Sequence, residues 1–195
     1  MVIPIVTATR WIISGERGCG KTSFCRNLFE RARDAGWDVA GFLSLPRCED
    51  NIQTGIEILD LRQGVTRLLA SRRPDELAGF RYCGWTFSEA ALAWGNEVFR
   101  RTTPCDLLIV DEAGPLEFEA GTGMTECFRA LQSGSYRLAV AVVRPSCLQR
   151  MQKTWPECET ITITSPEQSI LLAGELFEAV QNCMAPPARE DSAIR

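Results

Sequence analysis

Ile12-Ile13-Ser14-Gly15-Glu16-Arg17-Gly18-Cys19-Gly20-Lys21-Thr22-Ser23 is the stretch on which the reading of this chain turns. A β-branched strand end runs into G-x-x-x-x-G-K-T, and a helical pattern follows at once. Glycines at 15, 18 and 20 let the backbone curl, so that successive N–H groups point inward at an anion. The helix behind them adds its positive dipole end. The pattern therefore predicts that Gly15, Glu16, Arg17, Gly18, Cys19, Gly20, Lys21, Thr22 and Ser23 line a polyphosphate. Lys21 would supply a mobile cation for the β- and γ-phosphates, and the Thr22 hydroxyl is placed to ligate Mg²⁺.

Outward from this loop, strands alternate with helices. Arg10–Ile13 reads as a short buried strand, the central one of its sheet. From Thr22 to Ala35 apolar residues fall at helical spacing, closed by Gly36. Residues 37–45 read as a second strand ending at Pro46, and 47–54 as a polar loop. Ile56–Leu61 and Val65–Ala70 around Gly64 form an expected β-hairpin. Tyr82–Phe87 reads as one extended segment, and Ser88 caps a helix through Phe99. Buried strands are expected at 105–110 and 137–143, a short helix at 125–132, and an edge strand at 160–164. A last helix starts at Ser165-Pro166 and runs to Cys183. The expectation is an α/β protein with a mostly parallel sheet flanked by helices and a β-hairpin insertion. One domain spans 1–184, and the Pro- and charge-rich segment 185–195 is expected to be a disordered tail.

Bulk composition narrows the partners. With 195 residues and a formal net charge of −4, the chain lacks the basic surplus of a nucleic-acid-binding surface. No apolar run is long enough to span a membrane. Met1–Ile13 has neither a basic n-region nor a small-residue cleavage site, so no leader is expected. Nine Cys, with no C-x-x-C and no His in the chain, fit reduced cytoplasmic thiols better than zinc ligands or disulfides. Cys19, inside the phosphate loop, is expected to be sensitive to alkylation.

The second half of the expected site is Leu107-Leu108-Ile109-Val110-Asp111-Glu112. An apolar strand beside the one that feeds the loop would bring Asp111 to the Mg²⁺ held by Thr22. Glu112 could then polarise the water that attacks the γ-phosphate. Arg144 follows the strand ending Val142-Val143 and would emerge on the same side, where it could neutralise charge on the γ-phosphate. Lys21, Glu112 and Arg144 are thus the catalytic candidates, and Thr22 and Asp111 the metal ligands. Glu117 and Glu119 read as solvated, and Trp85, Phe87 and Trp94 as packing residues.

Together, G-E-R-G-C-G-K-T-S, G-F-L-S-L-P (41–46), the Gly64 hairpin and D-E-A-G-P-L-E (111–117) resemble the THEP1-type nucleoside-triphosphatases. The resemblance runs loosely from Ile12 to Val143. Arg17 stands where that family often has Pro, and Ala113 where Ile is usual. The resemblance implies a three-layer P-loop NTPase fold and Mg²⁺-dependent hydrolysis of ATP, GTP and other nucleoside triphosphates, with little base discrimination. Two other readings of the residues stand beside it. One is a kinase whose lid is the Arg72-Arg73 and Arg81 region; the other is a weakly active nucleotide switch acting on a protein partner.

Overall fold

The computed structural model of the protein describes residues 9–184. Residues 1–8, which belong to the segment read for a leader, and the tail expected at 185–195 lie outside the described residues. Among the described residues, nine strands form one sheet in the order β5-β6-β4-β3-β2-β7-β8-β1-β9. Its parallel half comprises β2 (Val39–Glu49), β7 (Cys105–Ala113), β8 (Tyr136–Val143), β1 (Arg10–Ser14) and β9 (Glu159–Thr162). Its antiparallel half adds β3 (Ile52–Asp60), β4 (Thr66–Ser71), β5 (Gly79–Tyr82) and β6 (Trp85–Ser88).

Alternation along the parallel strands builds two cores. Ile13, Leu107, Ile109 and Val140 face one way, against Phe24 and Leu28 of α1 (Lys21–Asp34) and Leu172 and Leu176 of α6 (Pro166–Met184). Ile12, Leu108, Val110 and Ala141 face the other way. They meet Leu92 and Phe99 of α2 (Glu89–Phe99), Leu116 of α3 (Pro115–Phe118), Leu131 of α4 (Glu126–Gln132) and Met151 of α5 (Leu148–Thr154). Strands buried on both faces must be apolar on both, which is why 107–110 and 138–143 read as unbroken hydrophobic runs.

The sheet order corrects two expectations. β1 is the penultimate strand, not the central one, and β7 does not lie beside it, because β8 sits between them. The reason is burial: Leu138 through Val143 are all at most 2% exposed, so this strand needs a neighbour on each side and a helix on each face. The Thr-rich β9 takes the edge beyond β1, as expected. The ends of β1 and β7 therefore stand two strand spacings apart, about 10 Å, with β8 flooring the gap.

The insertion is larger than one hairpin. Residues 47–54 are not a loop, since β2 continues through Pro46 and pairs with β3 as far as Glu49 opposite Ile52. Only Asp50 and Asn51 turn, both at positive φ (47° and 63°), a two-residue connection whose twist suits a hairpin. The expected Gly64 hairpin is present as β3–β4. Tyr82–Phe87 is not one strand but two short ones around Cys83-Gly84. α5 and the 3-10 turn before it were not anticipated. The helix caps hold: Ser88 Oγ accepts from Ala91 N at 3.1 Å, and Ser165 Oγ from Gln168 N at 3.3 Å.

Candidate functional site

The phosphate loop leaves β1 at Ser14 and enters α1 through Gly20, which caps the helix in the left-handed region (φ 102°). The connection from β9 to α6 forms its back wall. A Cβ on Gly20 would lie 2.9 Å from Ser169 Oγ and 3.0 Å from Pro166 Cα, and one on Gly15 would press on the Ile163 carbonyl oxygen. Ser169 is fully buried there and donates to the Pro166 carbonyl. The Lys21 ammonium donates to the carbonyls of Gly15 and Glu16, both at 2.7 Å, and so is held within the curl of its own loop.

Cys19 departs from expectation. Its thiol is buried, against Gly15, with Lys21 Nζ 3.8 Å away. A buried sulfur is shielded from reagents, so rapid alkylation is not expected of it; Cys48, Cys83 and Cys183 are exposed instead. Glu16, Arg17, Gly18 and Ser23 are exposed along the loop rim. Arg17 reaches sideways, its Nη2 donating to Gln53 Oε1 of β3 at 2.6 Å.

Across the gap, Asp111 is 4% exposed at the end of β7. Its Oδ1 accepts from Thr22 Oγ1 at 3.5 Å, so the two expected metal ligands meet across 89 residues of sequence. Ser44 of β2 grips the same residue twice: its N–H donates to Asp111 Oδ2 at 3.0 Å, and its hydroxyl to the Asp111 carbonyl at 2.7 Å. Burial pushes the Asp111 carboxyl up to about 7, with the Glu112 charge adding to the rise, while the Ser44 N–H, Thr22 and Lys21 pull it down. Thr22 and Asp111 thus offer two hard oxygen donors where a divalent cation would restore the lost counter-charge.

That burial sets a pH dependence. The folded protein keeps a proton on Asp111 from the ordinary value of 3.8 up to about 7, whereas the unfolded chain has lost it. Metal-free stability from this group is therefore full below pH 4 and is lost as pH rises to about 7. A tenfold change in acidity is worth about 1.4 kcal/mol, which bounds the effect at about 4 kcal/mol. Asp111→Asn should unfold at a higher temperature than the wild type in EDTA at pH 8, with the difference closing toward pH 5. A gap that does not change with pH would count against burial as the cause.

Glu112 sits in a β-bulge. Val110 pairs with Ala141 but Ala113 with Val143, so β7 carries one residue more than β8 over this step. Glu112 absorbs it at φ 81°, a conformation costly for any residue but Gly and typical of functional positions. The bulge turns its carboxylate toward β8's end, where Arg144 Nε donates to Glu112 Oε1 at 2.8 Å and Nη2 donates to the same oxygen. Two catalytic candidates are thus joined in one ion pair, both partly exposed.

Glu117 corrects the expectation of a solvated acid. It caps α3, accepting from Gly114 N at 2.9 Å, and accepts from Met124 N at 3.1 Å, which ties the segment after the bulge into a closed loop. Burial raises its carboxyl above the usual range. Glu119 is exposed, as expected. Asp111, Glu112 and Glu117, with Phe42, Phe99 and Met124, border a cavity of about 10 Å³, room for about one water. Trp94 packs edge-on to Phe42, Phe87 stacks on Phe80, and Trp85 lies under Arg72, so each has a packing partner. Arg73 pairs with Glu49. Ser44, Gln53 and Ser169 were missed; the only trace of the first was its place in G-F-L-S-L-P.

Comparison with known proteins adds three findings. The sequence model described as NTPase matches residues 10–173. "Nucleoside-triphosphatase THEP1" of Archaeoglobus fulgidus is 29% identical over 110 residues, 55% of this chain and 62% of that protein. The chain thus spans less than two-thirds of that relative's length. Among solved structures, a human cancer-related nucleoside triphosphatase superposes with a TM-score of 0.69 at 16% identity, covering 91% of this chain and 100% of that one. THEP1 from Aquifex aeolicus gives 0.64, also at 16% identity, covering 87% and 98%. At such identity these two establish the fold alone. The family match also extends past Val143, where the sequence resemblance stopped, through β9 into α6. That stretch forms the wall against Gly15 and Gly20.

Proposed function

The chain belongs to the NTPase family, and from that premise we propose that it hydrolyses nucleoside 5′-triphosphates, ATP and GTP among them, to the diphosphate and phosphate with Mg²⁺. The observation that carries this reading is the meeting of Thr22 and Asp111 at 3.5 Å in front of the phosphate loop, with Glu112 next in sequence on a bulge. Thr22 and Asp111 would hold the metal through their side-chain oxygens. When bound, Mg²⁺ neutralises charge on the β- and γ-phosphoryl oxygens.

This chain's own residues do the rest. Lys21 places its ammonium on the β- and γ-phosphates from inside the loop. Glu112 accepts a proton from the attacking water. Arg144 shares its guanidinium between Glu112 and the γ-phosphate, where charge grows in the transition state. Water is favoured over a kinase acceptor because Arg72 and Arg73, the candidate lid arginines, lie on Trp85 and Glu49. The odd number of thiols, nine, supports a cytoplasmic setting, and the net charge of −4 supports small-molecule rather than nucleic-acid partners.

Phosphate release from ATP, GTP, CTP and UTP, with and without candidate acceptors, tests the reading. The expected result is acceptor-independent release, with kcat lowered at least about tenfold in Arg144→Ala. Transfer that requires an acceptor would overturn hydrolysis. An unchanged kcat would remove Arg144 from the reaction.

A further inference from the structure

The β2–β3 hairpin meets the phosphate loop at two levels. At the floor, Ser44 of β2 holds Asp111, and Asp111 accepts from Thr22. At the rim, nine residues further along the hairpin, Gln53 accepts from Arg17 at the crest of the loop. Both links join the loop to the hairpin, one at a buried carboxylate and the other at the exposed rim. Gln53 is oriented for its part: its Nε2 donates to the Gly55 carbonyl at 3.3 Å, which leaves Oε1 turned to Arg17. It takes one of the five guanidinium N–H donors and fixes the plane of the rest. A guanidinium is suited to a phosphate, because its fork matches two oxygens and its charge does not depend on pH.

We propose that Arg17, oriented by Gln53, contacts the terminal phosphate and is the residue by which this site distinguishes a nucleoside triphosphate from a diphosphate. The inference rests on the nucleotide reading above. Gln53 is a positioning residue, acting through Arg17.

The test is equilibrium binding of two probes in the presence of Mg²⁺, the β,γ-imido analogue of ATP and ADP, to wild type, Arg17→Ala, Arg17→Pro and Gln53→Ala. Arg17→Ala should lose about tenfold or more in affinity for the triphosphate analogue while its ADP affinity is unchanged. Gln53→Ala should show a smaller loss of the same selectivity, with an unchanged melting temperature. Equal losses for both probes, or no loss for either, would overturn the proposal, because a mere tether between loop and hairpin does not discriminate. Arg17→Pro serves where Arg17→Ala does not fold. Phosphate release by the wild type is read separately. Discrimination through Arg17 without turnover would uphold this inference and sink the hydrolytic reading.

Discussion

Glu112→Gln should bind nucleotide and barely turn it over. The amide keeps the length and shape of the side chain and still offers Oε1 to Arg144, whose Nε lies 2.8 Å away. It also leaves the bulge and its φ of 81° in place. What it removes is a base able to take a proton from water, a contribution typically worth a hundredfold or more in kcat. The expected outcome is therefore a fall of about a hundredfold or more in single-turnover phosphate release, with affinity for the β,γ-imido analogue within about threefold of wild type. Full turnover would show that Glu112 is not the base. A joint collapse of binding and turnover would mean that the side chain holds the bulge rather than the water.

Gly41→Ala should cost the protein more stability than any surface change. Gly41 lies in β2 opposite Ile109 of β7, in the middle of the sheet, at φ 103°. An alanine Cβ there would overlap the Ile109 carbonyl oxygen and come within 2.8 Å of its carbon. Two backbones would have to part where β2 also presents Ser44 to Asp111. Positive φ alone costs about 1–3 kcal/mol, and the separation of paired strands adds to it. We expect a loss of at least about 3 kcal/mol, or about 10 °C in Tm for a chain of this size. Gly64 is the control: it too has positive φ (70°), but nothing lies within 4 Å of an added Cβ. Gly64→Ala should therefore show the conformational cost alone. If the two variants melted together, backbone crowding at Gly41 would not matter.

Much of the site was legible along the chain because its parts are local. A strand, a glycine-rich turn and a helix N-terminus sit within twelve residues, so spacing alone singles out Lys21 and Thr22 as candidates. Asp111-Glu112 was legible because a doubly buried strand that ends in acids is uncommon without a use for them. Glu117 was misread because an acid in a turn looks solvated, and only the fold closes its loop onto Gly114 and Met124. The hairpin arms at 47–54 were misread because their residues are polar. β2–β3 pairing there is driven by the backbone ladder and the Asp50-Asn51 turn, not by burial.

Consecutive residues were enough to read a glycine-rich loop between strand and helix, an acidic strand end and an α/β sheet flanked by helices. These follow from short-range periodicity and from the conformations open to Gly, and both are written in consecutive residues. Tertiary structure alone decided that β8 separates β1 from β7, that Arg144 pairs with Glu112, and that Arg17 is held by Gln53. Each of these depends on which strand buries most completely and on how a bulge or a hairpin aims a side chain. Such choices are made between segments tens of residues apart, where spacing carries no signal.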